Sequence, residues 1–164
     1  MQGSPPSGNY ISPGEVARRK ALSSLPPPNI QLALVHATSV LTIRDRCGNA
    51  LRVVDMRPLV IHLLAGLEQA GIARAVVTLG HDAQNVAECV QAYGFTHLKI
   101  DFVYMTLGSA VGGMWRNLAN SVLAARSAFA GSAPLLIVRA DNLYDGRLLR
   151  RMADAPIGLD GSLR

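Results

Sequence analysis

The chain has 164 residues, of which 49% are hydrophobic and only 5% aromatic, and its mean hydropathy is +0.23. This length suits one domain whose core is mainly aliphatic. The net charge of +5 comes from scattered arginines without interleaved aromatic residues, which does not favour a nucleic-acid-binding surface. The two cysteines show no metal-ligand spacing, and no apolar stretch is long enough for a membrane span. We therefore expect a cytoplasmic protein.

The first 29 residues are rich in proline, with Pro5-Pro6, Pro13 and the triplet Pro26-Pro27-Pro28 among several Gly and Ser. Such a segment buries too little apolar surface to offset the entropy lost on ordering. We predict that residues 1–29 form a disordered tail. Regular patterns begin after it, and we assign residues 30–164 to one domain.

Short apolar runs alternate with helical patterns along this domain. Helix ends are indicated by Pro58 and Asp82 as starts and by Gly71 and Gly94 as stops. The predicted strands are 30–37, 73–80, 97–105 and 133–140, and the predicted helices are 57–71, 82–94, 113–131 and one beginning at 146–153. The alternation predicts an α/β fold with three layers and a mostly parallel, Rossmann-like sheet with right-handed crossovers.

Ligands of open α/β sheets bind beyond the carboxyl ends of the strands. The first predicted strand ends near His36, which we interpret as structural, and a connection of about twenty residues follows, far longer than usual. It carries Thr38, Ser39, Arg44 and Arg46, whose side chains can hold phosphate groups. It contains neither GxGxxG nor GxxxxGK[ST], which argues against a dehydrogenase and a P-loop ATPase.

The ends of the second and third strands give weaker signals. His81 follows the second strand and is interpreted as a solvated turn residue. The third strand leads into TLGSAVGG, where backbone amides near Gly108 could contact a base or a phosphate. The next helix carries Asn117, Asn120 and Ser121 near its start.

The fourth strand ends on an acid, Asp141, within PLLIVRADNLYD. A carboxylate there could hold Mg²⁺ together with substrate phosphates, or it could cap the next helix. Asp145 is better placed as the cap of that helix. We therefore expect Asp141 to have another task.

Taken in chain order, MRPLVIHLLAGLEQAGI (56–72), AVVTLGHDAQNV (75–86) and NLANSVLAARSAFAGSAPLLIVRADNLYDGRLLRRM (117–152) resemble the nucleotidyltransferases of the sugar-phosphate and phospho-alcohol type. NSVLAAR and ADNLYD together look most like inositol-1-phosphate cytidylyltransferases, with bacterial phosphocholine cytidylyltransferases next. The resemblance covers about residues 31–164 and implies a nucleotide-diphospho-sugar-transferase-like fold. The family's second metal-binding acid lies beyond this chain's end, so we expect the domain to be incomplete at its C-terminus.

The resemblance implies transfer of a nucleotidyl group, cytidylyl in the first instance, from a nucleoside triphosphate to a phosphorylated alcohol or sugar, with release of pyrophosphate. It implies that Asp141 binds the catalytic Mg²⁺. The resemblance does not determine the oligomeric state, and an oligomer is possible. The nucleotide-binding residues that follow are Ala37, Thr38, Ser39, Asn49, Gly108, Asn117 and Ser121.

The first loop departs from the family pattern LAAGxGxRL. Residues 36–38 read His-Ala-Thr where Ala-Ala-Gly is expected, and Asn49 stands where the family has a lysine. The glycines let backbone amides approach the triphosphate, and the lysine offsets charge on the transferring group. We hypothesise that Arg44, or else Arg46, supplies that charge here.

Two alternatives stay open. One is a catalytically inactive regulatory or scaffolding domain of the same fold, which the altered loop favours. The other is an unrelated α/β domain that binds nucleotides or a partner of the basic tail. Measured turnover would distinguish an active nucleotidyltransferase from the inactive domain of the same fold. A shift in melting temperature with CTP and Mg²⁺ would support either of these over the unrelated α/β domain.

Overall fold

The computed structural model describes residues 26–38, 49–80, 82–105, 114–129 and 134–156. Most of the predicted disordered tail lies outside these residues. The strands are β1 (Leu32–Ala37), β2 (Val53–Val54), β3 (Arg57–Pro58), β4 (Arg74–Leu79), β5 (Lys99–Tyr104) and β6 (Leu135–Arg139). The α-helices are α1 (Leu59–Gln69), α2 (Ala83–Tyr93), α3 (Met114–Ala125) and α4 (Gly146–Ala153), with short 3₁₀ helices at Asn49–Leu51 and Arg126–Phe129.

Within the described residues, four strands form the main sheet in the order β5-β4-β1-β6, and all of their pairings are parallel. The chain moves outward from β1 through β4 to β5 and then returns past β1 to β6. Strand order therefore reverses between β1 and β6. Their carboxyl ends flank the topological switch point, where open α/β sheets hold their ligands.

The helices cover both faces of this sheet. Side chains of α1, α2 and α4, among them Leu64, Val86 and Leu149, join the larger core on one face. On the other face α3 packs its Ala125 against Leu34 and Val76. The reversal of strand order explains this placement, because a right-handed crossover in the opposite direction puts its helix on the opposite face. The predicted three-layer α/β/α architecture is confirmed.

Local signals in the sequence set several helix ends. Asp145 caps α4, and its Oδ1 accepts hydrogen bonds from the backbone N–H groups of Arg147 at 2.7 Å and Leu148 at 3.3 Å. Gly94 ends α2 in the left-handed region, at φ +69°. Asp82 stands at the start of α2 as predicted, although its side chain makes no cap hydrogen bond there.

The predicted helix at 57–71 starts two residues late, at Leu59. Arg57 and Pro58 instead form β3, which pairs antiparallel with β2. Asp55 and Met56 make the turn at φ +46° and +62°, the conformation that a two-residue hairpin of type I′ requires. The N–H of Leu59 donates to the carbonyl of Arg52 at 2.9 Å, so the hairpin replaces the first helical turn.

Candidate functional site

A group of polar side chains lies where β1 and β6 end, on the sheet face that α3 covers. His36 of β1 stands opposite Arg139 of β6 in the parallel register. Ser121 reaches the same place from α3, while Thr38 and Asp141 follow the two strands directly. We call these five residues the switch-point cluster, after their position at the reversal of strand order.

Arg139 and Asp141 form a two-point ion pair within the cluster. Nε of Arg139 donates to Oδ1 of Asp141 at 2.9 Å, and Nη2 donates to Oδ2 at 2.5 Å. The Asp141 side chain is 10% exposed and the Arg139 side chain 29%. The hydrogen bonds from Arg139 hold the pKa of the Asp141 carboxyl below its ordinary value, and Asp141 in turn raises the pKa of the guanidinium.

His36 is buried beside this pair and is bonded to two hydroxyl groups. Its Nδ1 lies 2.7 Å from Oγ of Ser121, which is itself fully buried. Oγ1 of Thr38 lies 3.1 Å from each ring nitrogen. Burial lowers the pKa of His36, the nearby charge of Arg139 lowers it further, and Asp141 opposes them. The imidazole is therefore neutral near pH 7.

Backbone bonds fasten the two strand ends to each other. The N–H of Ala140 donates to the carbonyl of His36 at 3.0 Å, one residue beyond the end of β6. The N–H of Arg139 donates to the hydroxyl of Tyr144 at 3.2 Å, which turns the following loop back onto the strand. The cluster thus rests on rigid backbone rather than on a long loop.

Gly80, after β4, contacts the backbone that carries Thr38. A Cβ added at Gly80 would lie 3.1 Å from both Cα and Cβ of Thr38. Few real Cβ contacts are so short, so a side chain here would require Thr38 to shift. The absence of a side chain at Gly80 therefore helps to position the end of β1.

The residues in this arrangement do not fit a Mg²⁺ site. Both carboxylate oxygens of Asp141 accept hydrogen bonds from Arg139, whose positive charge offsets the negative charge of the carboxylate and weakens its attraction for a cation. Elsewhere in the described ranges no three His, Cys, Asp or Glu side chains come together in a way that could hold a metal ion. The metal-binding role of Asp141 stays a prediction.

The structure brings three of the sequence-predicted residues, Thr38, Ser121 and Asp141, into the switch-point cluster. The side chain of Ala37 packs in the main core, so any contact it makes with a nucleotide is through its backbone. The remaining predicted positions lie outside the described residues, as whole residues for Ser39, Arg44 and Gly108 and as side chains for Asn49 and Asn117.

Sequence reasoning did not single out Arg139, and it interpreted His36 as structural without identifying its partner. A signal for Arg139 was present, because residues two apart at the end of a strand point to the same side and Arg139 precedes Asp141 by two. His36 gave no such signal. Its partner Ser121 is 85 positions away in the chain.

No family model matches this chain, and no curated protein sequence matches it. Its fold is similar to that of a nucleotidyl transferase from Methanothermobacter thermautotrophicus (Mth528), with 17% identity and a TM-score of 0.54 over 76% of this chain and 57% of that one. Rv0371c from Mycobacterium tuberculosis H37Rv gives 18% identity and a TM-score of 0.52 over 79% of this chain and 61% of that one.

At these identities the similarity establishes the fold, which is nucleotide-diphospho-sugar-transferase-like as predicted. This chain spans less than two thirds of the length of either structure. Among the helices of the described residues, none is long and apolar enough to cross a membrane.

Proposed function

We propose that this chain binds a nucleoside triphosphate where β1 and β6 end and transfers its nucleotidyl group to a phosphorylated alcohol or sugar. CTP is the proposed donor, from the sequence resemblance, and pyrophosphate is the second product. The observation that carries the proposal is the switch-point cluster, which lies at the ligand-binding position of a fold that a nucleotidyl transferase shares.

The chemistry asks for positioning and charge more than for covalent catalysis. An oxygen of the acceptor's phosphate attacks the α-phosphorus of the donor, and the bond to the bridging oxygen of the leaving pyrophosphate breaks. Arg139 offers a permanent positive charge with N–H groups suited to phosphate oxygens, and 29% of its side chain is exposed. The bond between neutral His36 and Ser121 holds the end of β1, and β1 pairs with the end of β6 that carries Arg139.

The test is release of pyrophosphate from CTP by the full chain, with a panel of phospho-alcohols and sugar phosphates as acceptors. We expect acceptor-dependent release that falls about a hundredfold in Asp141→Asn, because the guanidinium loses its orienting partner. Asp101→Asn is the matched control, since Asp101 pairs with Arg74 near the opposite end of the sheet. Equal loss in both variants, or release without an acceptor, would count against the proposal.

A second candidate is a catalytically inactive domain that binds nucleotides without turning them over. The Arg139–Asp141 pair favours it, because an acid expected to bind the catalytic metal is already neutralised by a side chain. Asn49 in place of the family's lysine favours it too. A folded chain that binds CTP and releases no pyrophosphate with any acceptor would select this candidate.

A further inference from the structure

We propose that Arg139 takes the place of a divalent cation at this site, so that the chain binds the phosphates of a nucleotide without Mg²⁺. The proposal rests on the proposed nucleotide-binding function and specifies which side chain contacts the phosphates. It also reverses the metal role expected for Asp141 from the sequence.

The carboxylate of Asp141 already has a cationic partner. Mg²⁺ is usually bound through one or two carboxylates together with substrate phosphates and water. Both oxygens of Asp141 accept from Arg139 instead, with N–O distances of 2.9 and 2.5 Å. A two-point guanidinium–carboxylate pair carries no net charge, so little attraction remains for a second cation.

The Arg139–Asp141 ion pair is partly buried and difficult to separate. Asp141 is 10% exposed, so a cation that displaces Arg139 would have to lose most of its water to reach the carboxylate, and Arg139 would lose its anion. Tyr144 and the pairing with β1 also fix the backbone of Arg139. The pair therefore belongs to the folded strand end and is not a loose surface contact.

Arg139 is both oriented and partly exposed. A guanidinium is rigid and planar, and the two hydrogen bonds to Asp141 set the direction of its plane. The side chain remains 29% exposed at the carboxyl ends of the strands. A phosphate that approaches the strand ends thus meets an oriented guanidinium, whose N–H groups suit phosphate oxygens and can make the contact that a metal ion would otherwise make.

The first experiment measures CTP binding by calorimetry to the full chain, in buffer with EDTA and in buffer with Mg²⁺. For the unmodified chain we expect dissociation constants that agree within about threefold. Arg139→Gln is expected to bind about tenfold or more weakly in EDTA and to recover part of the affinity with Mg²⁺, because Asp141 then becomes available to the metal. Arg74→Gln, which breaks the Arg74–Asp101 pair between β4 and β5, is expected to behave like the unmodified chain.

The second experiment uses Mn²⁺ alone, followed by electron paramagnetic resonance. The unmodified chain is expected to leave Mn²⁺ free, and Arg139→Gln is expected to bind it weakly, through the single carboxylate of Asp141, but measurably more tightly than the unmodified chain does. Because no nucleotide is present, this result tests the substitution of metal by Arg139 even if CTP is not the ligand.

The outcomes separate the two proposals. CTP binding by the unmodified chain that requires Mg²⁺, or Mn²⁺ bound by the unmodified chain, overturns the metal substitution and leaves the proposed function standing. Absence of CTP binding in both buffers overturns the proposed function. If Arg139→Gln does not fold, the double variant Arg139→Gln/Asp141→Asn removes both charges together. CTP binding by that variant as tight as by the unmodified chain would also overturn the role of Arg139.

Discussion

Arg139 and Asp141 lie two residues apart, and the guanidinium of the first holds both oxygens of the second, Nε to Oδ1 at 2.9 Å and Nη2 to Oδ2 at 2.5 Å. Loss of Arg139 leaves the charge of Asp141, which is only 10% exposed, poorly solvated, and loss of Asp141 leaves the partly buried guanidinium without its anion. We expect Asp141→Asn and Arg139→Gln each to lower the free energy of unfolding by about 2 kcal/mol, and the double variant by less than the sum. Urea unfolding of the four chains gives the coupling energy directly.

The more exposed Arg74–Asp101 ion pair is a control for the coupling energy of the Arg139–Asp141 pair. Its N–O distance is 2.6 Å, but its side chains are 38% and 32% exposed, so water screens the interaction. A double-mutant cycle on it should give a clearly smaller coupling energy. A coupling at Arg139–Asp141 no larger than this one would mean that the switch-point pair adds little to stability.

Buried His36 makes stability depend on pH. Its folded pKa lies below the ordinary value of 6.5 because of burial and of Arg139, with Asp141 opposing. Below pH 6.5 the unfolded chain therefore takes up a proton that the folded chain lacks, and the free energy of unfolding decreases as the pH falls until the folded pKa is reached. One such group contributes at most about 1.4 kcal/mol per pH unit.

Thermal melts between pH 7.5 and about 5 measure this dependence. His36→Gln keeps a polar side chain near Ser121 and Thr38 but cannot titrate, so its melting temperature should vary less with pH than that of the unmodified chain. Asp141 does not disturb the comparison, since its carboxyl titrates below its ordinary value of 3.8. Parallel pH profiles for the two chains would show that His36 is not the group responsible.

Much of the fold could be predicted because the signals are local. Apolar periodicity placed the strands of the main sheet within two residues of their observed ends, as for β6, predicted at 133–140 and observed at Leu135–Arg139. The helix predicted at 113–131 is α-helical only as far as Ala125 and is followed by the 3₁₀ helix at Arg126–Phe129. The hairpin of β2 and β3 was missed because only two residues pair on each side and its turn residues, Asp55 and Met56, are not glycines. Such a short pairing leaves no period to detect.

The candidate site was predictable only in part. Strand-end position singled out Asp141, and Asp145 was correctly identified as the helix cap. That Asp141 would be bound by Arg139 rather than left open to a cation depends on the side-chain conformations of both residues, which no periodicity encodes. The bond between His36 and Ser121 depends on α3 crossing to the opposite face of the sheet, a consequence of strand order.

Ser121 is fully buried and bonded to His36, and its hydroxyl also donates to the sulfur of Met105 at 3.2 Å. Ser121→Ala removes the nearest partner of His36 Nδ1 in a place that water hardly reaches. We expect a loss of about 1–2 kcal/mol in the free energy of unfolding, measured by urea denaturation. Ser127→Ala, at an exposed position in the following 3₁₀ helix, is the control and should change stability by less than about 0.5 kcal/mol.

The close contact between Gly80 and Thr38 separates an effect on the site from an effect on stability. Gly80→Ala would place a Cβ 3.1 Å from Cα and Cβ of Thr38, so the end of β1 must shift away from its position in the switch-point cluster. Gly94→Ala also strains the chain, because φ is +69° there, but its Cβ would have nothing within 4 Å. Both variants should lose about 1 kcal/mol of stability. Only Gly80→Ala should weaken CTP binding, by about tenfold, as measured by calorimetry. Equal affinities in the two variants would mean that Thr38 does not help to position the nucleotide.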